Sequence, residues 1–99
     1  MNGLQYPVGR HDPSAPVSAE QIRQAIEDIR ELPGRLAEAV GGLDDTRLDS
    51  PYRPQGWTVR QVVHHVVDSH VNAYVRLRLA LTEDRPDIRG YQQELWAEL

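Results

Sequence analysis

From Ser18 onward, apolar residues recur at three- and four-residue steps: Ile22, Ala25, Ile26, Ile29 and Leu32, then Leu36, Ala37 and Val40. That period is the signature of one apolar stripe on a helix, and it predicts an element over about 18–40. Ser18-Ala19-Glu20-Gln21 supplies its start as a capping box, in which the Ser18 hydroxyl accepts from an early helix N–H and Gln21 reaches back. Pro33 cannot donate to the carbonyl of Ile29, so a kink or short break is expected there. Thr58-Val59-Arg60-Gln61 is a second capping box, opening a helix over about 59–81, which is about 35 Å long at 1.5 Å per residue. Thr82–Asp87 breaks this helix, with Pro86 as the stop, and Tyr91, Leu95 and Leu99 share one side of a short third piece, about 91–98. Ahead of Ser18 the pattern lapses: Pro7, Pro13 and Pro16 with two glycines predict an extended arm over 1–17. Residues 43–56 form a connection punctuated by Pro51, Pro54 and Gly56, with one helical turn expected around Asp44–Leu48. Strand-like alternation is absent, so the chain is all-α, with 18–99 as its helical domain.

Placing the second helix at 100° per residue separates its faces. With His65 at 0°, Val62, Val66, Val59, Ala73 and Leu77 fall between about 60° and 120°, and Val63, Tyr74, Leu81 and Val67 extend the apolar arc to about 200°. His70 lies inside this arc and is expected to be a core histidine. His64, near 260°, is expected at the surface or an interface. His65 stands at the margin of the arc, with Gln61, Asp68, Ser69, Asn72 and Arg76 within about 60° of it. A polar stripe bordering an apolar face is how bundle helices present inward ligands. Asp68, one turn on, permits either two-point metal ligation or a carboxylate that orients the imidazole.

Composition narrows the chemistry. The 99 residues make one domain with a thin core: 39% are hydrophobic, Phe is absent, and Trp57, Trp96 and four Tyr provide all the aromatic bulk. A net charge of −4 with no basic stripe argues against nucleic acid as a partner. There is no cysteine, so a metal would be held by His, Asp or Glu. With neither a leader-like N-terminus nor a long apolar run, no membrane association is expected and a cytoplasmic location is.

Several segments carry a resemblance: Tyr6-Pro7-Val8-Gly9-Arg10, Pro51-Tyr52-Arg53, the run from Gly56-Trp57-Thr58-Val59-Arg60 through His64-His65-Val66-Val67-Asp68-Ser69-His70, and Leu79-Ala80-Leu81-Thr82-Glu83. Together they resemble the N-terminal half of the DinB/YfiT-like family of metal-dependent hydrolases, whose members include bacillithiol-dependent S-transferases. The resemblance implies a four-helix bundle that holds zinc or nickel through three histidines. It places the first of these eight residues after the tryptophan, at His65, with Asp68 as a candidate second partner behind it. The other two family histidines form a His-x-x-x-His pair on the fourth helix, and this sequence contains no such pair.

The implied fold is a helical hairpin equal to half of a DinB-like bundle, completed by dimerisation or by a C-terminal half. Two functions follow from it. One is a metal-dependent hydrolase or thiol S-transferase acting on a small molecule or low-molecular-weight thiol, incomplete within 99 residues. The other is a non-catalytic helical module that buries its stripes by forming a homodimer.

Overall fold

The computed structural model describes residues 2–99, so residue 1 of the expected 1–17 arm lies outside them. Five helices occur in order: α1 (Asn2–Gln5), α2 (Ala19–Val40), α3 (Asp45–Leu48), α4 (Val59–Thr82) and α5 (Gln93–Ala97). Among the described residues no strand forms, and the only extended pairing is an isolated antiparallel bridge between Pro51 and Thr58. None of these helices is long and apolar enough to cross a membrane.

Both capping boxes close. The Ser18 hydroxyl accepts from the Gln21 N–H at 3.1 Å and the Ser18 N–H donates to Gln21 Oε1 at 2.7 Å. At α4 the equivalent distances through Thr58 and Gln61 are 3.1 and 2.9 Å. Each box satisfies donors that the first helical turn would leave bare. Asp44 caps α3, accepting from the Arg47 N–H at 2.9 Å.

The expected extended arm needs correction here, and of the kink or short break expected at Pro33 the break does not occur. The arm is a series of turns rather than one extended run: α1 opens it, the Gly9 N–H donates to the Tyr6 carbonyl at 3.0 Å with Gly9 at φ 87°, and the Ala15 N–H donates to that of Asp12. Helix α2 runs unbroken through Pro33. Proline removes a single bond from the ladder, and α2 is exposed along most of its length, so the freed Ile29 carbonyl is not stranded in an apolar core.

The hairpin is open. Helix α4 packs against α5 and, more lightly, α3, while α2 and α4 stand on either side of an apolar groove of about 680 Å³. Ile29, Leu32, Leu36 and Val40 line one wall; Val63, Val66, Val67, Val71 and Tyr74 line the other. The accessible surface is 8608 Å², against about 5,700 Å² expected for a compact monomer of this mass. The radius of gyration is 16.0 Å, against about 13 Å for a compact 99-residue domain. Ala97 is the single buried hydrophobic residue among those described; Val59, Val62, Val63 and Val66 are half-buried, and from Val67 onward the apolar arc of α4 is exposed at Tyr74, Leu77 and Leu81.

Candidate functional site

The segment before α4 determines what stands at its first turns. The Gly56 N–H donates to the Arg53 carbonyl at 2.9 Å, with Gln55 in the left-handed region at φ 60°. A Cβ at position 56 would lie 2.5 Å from Arg53 Cγ and 3.1 Å from the Arg53 carbonyl oxygen, so glycine is required by close approach. The Tyr52 N–H then donates to the Trp57 carbonyl at 3.0 Å, and the Val59 N–H to that of Ser50 at 3.1 Å. This fold-back delivers Trp57 to the start of α4.

His65 leans back toward that start, as long side chains on a helix do. Its ring meets the Trp57 indole with centroids 4.8 Å apart and planes tilted by 49°. His65 is half-buried, and its Nδ1 is enclosed with no hydrogen-bond partner. A buried ring nitrogen without a partner costs about 1–3 kcal/mol and calls for an explanation. The imidazole borders two cavities. One, of about 390 Å³, is mainly polar and is lined by Tyr6, Tyr52, Arg53, Trp57, Gln93 and Glu94 among others. The second, of about 420 Å³, is mainly apolar, with Leu4, Pro7, Val59 and Val62.

The predicted polar stripe faces the C-terminal segment. Asp68, Asn72 and Arg76 are half-buried. Arg76 Nη2 donates to the Arg89 carbonyl at 3.1 Å, while Arg76 Nε is enclosed without a partner. Asn72 borders a further cavity with Arg89, Tyr91, Gln92 and Trp96, so it lies apart from the spaces His65 borders. The carboxylate expected to orient His65 makes no hydrogen bond to its Nδ1, and the Asp68 backbone carbonyl accepts from Asn72 Nδ2 at 2.8 Å. The backward lean of His65 directs its ring to Trp57 instead.

The other histidines disperse. His64 is exposed beside Asp49 and Arg60. His70 is exposed on the wall of the open groove, contrary to its expected place in a core. Its angular position is as anticipated, but no element within the described residues covers it. No group of three His, Asp or Glu side chains suited to a metal ion is present among the described residues.

Periodicity alone misses Glu94. Its Oε2 accepts from Trp57 Nε1 at 3.1 Å across 37 residues of sequence, which brings α5 to the edge of the His65 cavity.

Comparison with known proteins bears on the family and the fold. The chain is 54% identical over all 99 residues to proteins of Bacillus cereus (strain 03BB102) and Bacillus anthracis (strain CDC 684 / NRRL 3495), each named "Putative metal-dependent hydrolase", and covers 57% of each. It also superimposes on YfiT from Bacillus subtilis, described as "a probable metal-dependent hydrolase with an unusual four-helix bundle topology". That match has a TM-score of 0.91 and 48% identity, and covers 98% of this chain and 55% of YfiT. The chain thus spans little more than half the length of these relatives and presents about half of such a bundle. Residues 28–99 match the DinB superfamily model, and with relatives aligned along its whole length this chain belongs to the DinB superfamily.

Proposed function

We propose that this chain is the His65-bearing part of a metal-dependent hydrolase of the DinB/YfiT type, and that His65 is one ligand of a zinc or nickel ion. The observation that carries the reading is the unpartnered Nδ1 of a half-buried imidazole beside a polar cavity. Imidazole nitrogen suits zinc and nickel, and the sequence offers no thiolate. The residues present fit one position of such a centre and do not complete it. On this reading the remaining donors come from protein other than the described residues. A bound divalent ion would polarise a substrate carbonyl or activate a water. This chain's own contribution is to hold one imidazole against Trp57, in a recess bounded by Tyr52, Arg53 and Glu94. Thiol S-transfer is the alternative reaction, distinguished by dependence of turnover on an added low-molecular-weight thiol.

The test is reconstitution. Mixing this chain with the separately expressed portion of the Bacillus cereus relative that it does not cover should give a complex carrying one zinc or nickel. His65→Ala should weaken metal binding by more than about 100-fold, beyond the usual effect of losing an outer contact, whereas His64→Ala should leave it intact. A complex that binds no metal, or that keeps it in His65→Ala, overturns the reading.

A second reading is favoured by the open groove and by a surface about 2,900 Å² larger than that of a compact monomer. In it, the chain is a non-catalytic module whose groove is filled by a second copy.

A further inference from the structure

We propose that Trp57 and Glu94 are positioning residues for His65, coupling helix α5 to the orientation of the imidazole; the role assigned to His65 rests on the function proposed above. A metal-binding histidine is ordinarily aimed by a hydrogen bond at its second ring nitrogen. No side-chain hydrogen bond to either ring nitrogen of His65 plays that part among the described residues, and Asp68 does not supply one at Nδ1. The oriented contact the ring does make is with the Trp57 indole, 4.8 Å between centroids and tilted by 49°, within the range in which aromatic pairs attract.

The indole is itself held at both ends. Its backbone is fixed by the tight turn at Arg53–Gly56 and by the hydrogen bond from Tyr52 to the Trp57 carbonyl. Its single polar atom, Nε1, can only donate, and it donates to Glu94 Oε2 at 3.1 Å. A carboxylate acceptor makes this the stronger kind of hydrogen bond. Glu94 belongs to α5, the element that packs most extensively on α4. The contacts run in series, from α5 through the carboxylate to the indole and from the indole to the imidazole. Removing the carboxylate frees the indole to turn about its side-chain bonds, and the imidazole then loses the surface against which it is aligned.

The experiment reads the ring without requiring metal. In the metal-free 99-residue chain, the His65 ring protons should be displaced in NMR spectra by the ring current of the indole. Glu94→Ala should move them toward the values of an unstructured histidine and shift the Trp57 indole N–H signal. Glu94→Gln, whose side-chain carbonyl still accepts, should restore most of both. Trp57→Phe keeps an aromatic ring but loses the N–H, and it serves as the second variant should Glu94→Ala fail to fold; since a phenyl ring alters the ring current itself, it is read by side-chain relaxation, in which the His65 ring should become more mobile. In the reconstituted complex, Glu94→Ala should weaken zinc binding by about 10–100-fold, the usual effect of losing an outer contact. Unchanged His65 ring shifts in a folded Glu94→Ala chain, or unchanged His65 ring relaxation in a folded Trp57→Phe chain, overturn the proposal, whatever the metal result. If Glu94→Ala moves the shifts but His65→Ala leaves zinc bound, the metal reading fails and the positioning role stands.

Discussion

Arg60, on the first turn of α4, donates from Nε to Asp49 Oδ1 at 2.8 Å, and its Nη2 reaches Asp45 Oδ1 at 3.0 Å. The two carboxylates lie at opposite ends of α3, so one guanidinium clasps the short helix to the long one. These bonds, to Asp49 first and then Asp45, hold the Arg60 guanidinium above its ordinary pKa. All three side chains are substantially exposed, which limits the effect to local order and makes it sensitive to salt. Arg60→Gln should speed amide hydrogen exchange across Asp45–Ser50 and leave the middle of α4 unchanged. Equal loss of protection throughout α4 would contradict this.

Thr58→Ala removes the hydroxyl acceptor of the second capping box. It should destabilise the chain by about 0.5–2 kcal/mol in chemical denaturation, and Thr58→Ser should recover most of the loss. Indistinguishable midpoints for wild type and Thr58→Ala would show that the box contributes nothing.

Pro33 sits inside an otherwise regular helix. Proline is about 3 kcal/mol less favourable than alanine in a helix interior, so Pro33→Ala should be stabilising, by at most that amount. The gain should appear as a higher denaturation midpoint with slower exchange in the turn around Ile29. A less stable variant would mean that the proline stiffens or packs the groove wall in a way that outweighs its missing donor.

Asp12 Oδ1 accepts from the Ser14 hydroxyl at 2.6 Å and from the Ser14 N–H at 3.0 Å, and these two bonds lower its pKa below the ordinary 3.8. A depressed carboxyl favours the folded turn above its unfolded pKa and loses that advantage as pH falls through the folded value. The Ser14 amide signal should therefore titrate with a midpoint below 3.8. A midpoint at or above that value would refute the turn.

Val67 is 55% exposed on the groove wall. If a second copy fills the groove, wild type should sediment as a dimer at micromolar concentration, with an interface above about 1,000 Å² in total. Val67→Asp should then sediment as a monomer with unchanged helical circular dichroism. A cooperatively melting wild-type monomer would rule out self-association.

What was legible in the sequence was local. Capping residues act on donors three positions away, so Ser18 with Gln21 and Thr58 with Gln61 mark the starts of α2 and α4 directly. The margin position of His65 followed from its angle on one helix. Three features depended on more than neighbours. The persistence of α2 through Pro33 reflects a whole helix outweighing one missing bond. His70 has the angular position of a core residue, yet angle says nothing about whether an opposing element exists to cover it. The Trp57–Glu94 bond joins residues 37 apart, and no period along the chain encodes such a meeting.

Helix α4 divides a side of small polar recesses from an open apolar one. On one side His65 and Asn72 border small recesses, two of them mainly polar, and on the other Val63, Val66, Val67 and Tyr74 face a continuous apolar trough. The two sides obey different rules of replacement. Toward the trough, side chains can be exchanged for others of similar volume, since filling space is the only demand on them. Toward the recesses, a shift of a few tenths of an ångström at one nitrogen or oxygen decides whether a contact exists. Assembly and chemistry can therefore diverge independently across a single helix, and swapping the trough-lining residues is a route to new bundle partners that leaves the surroundings of His65 untouched.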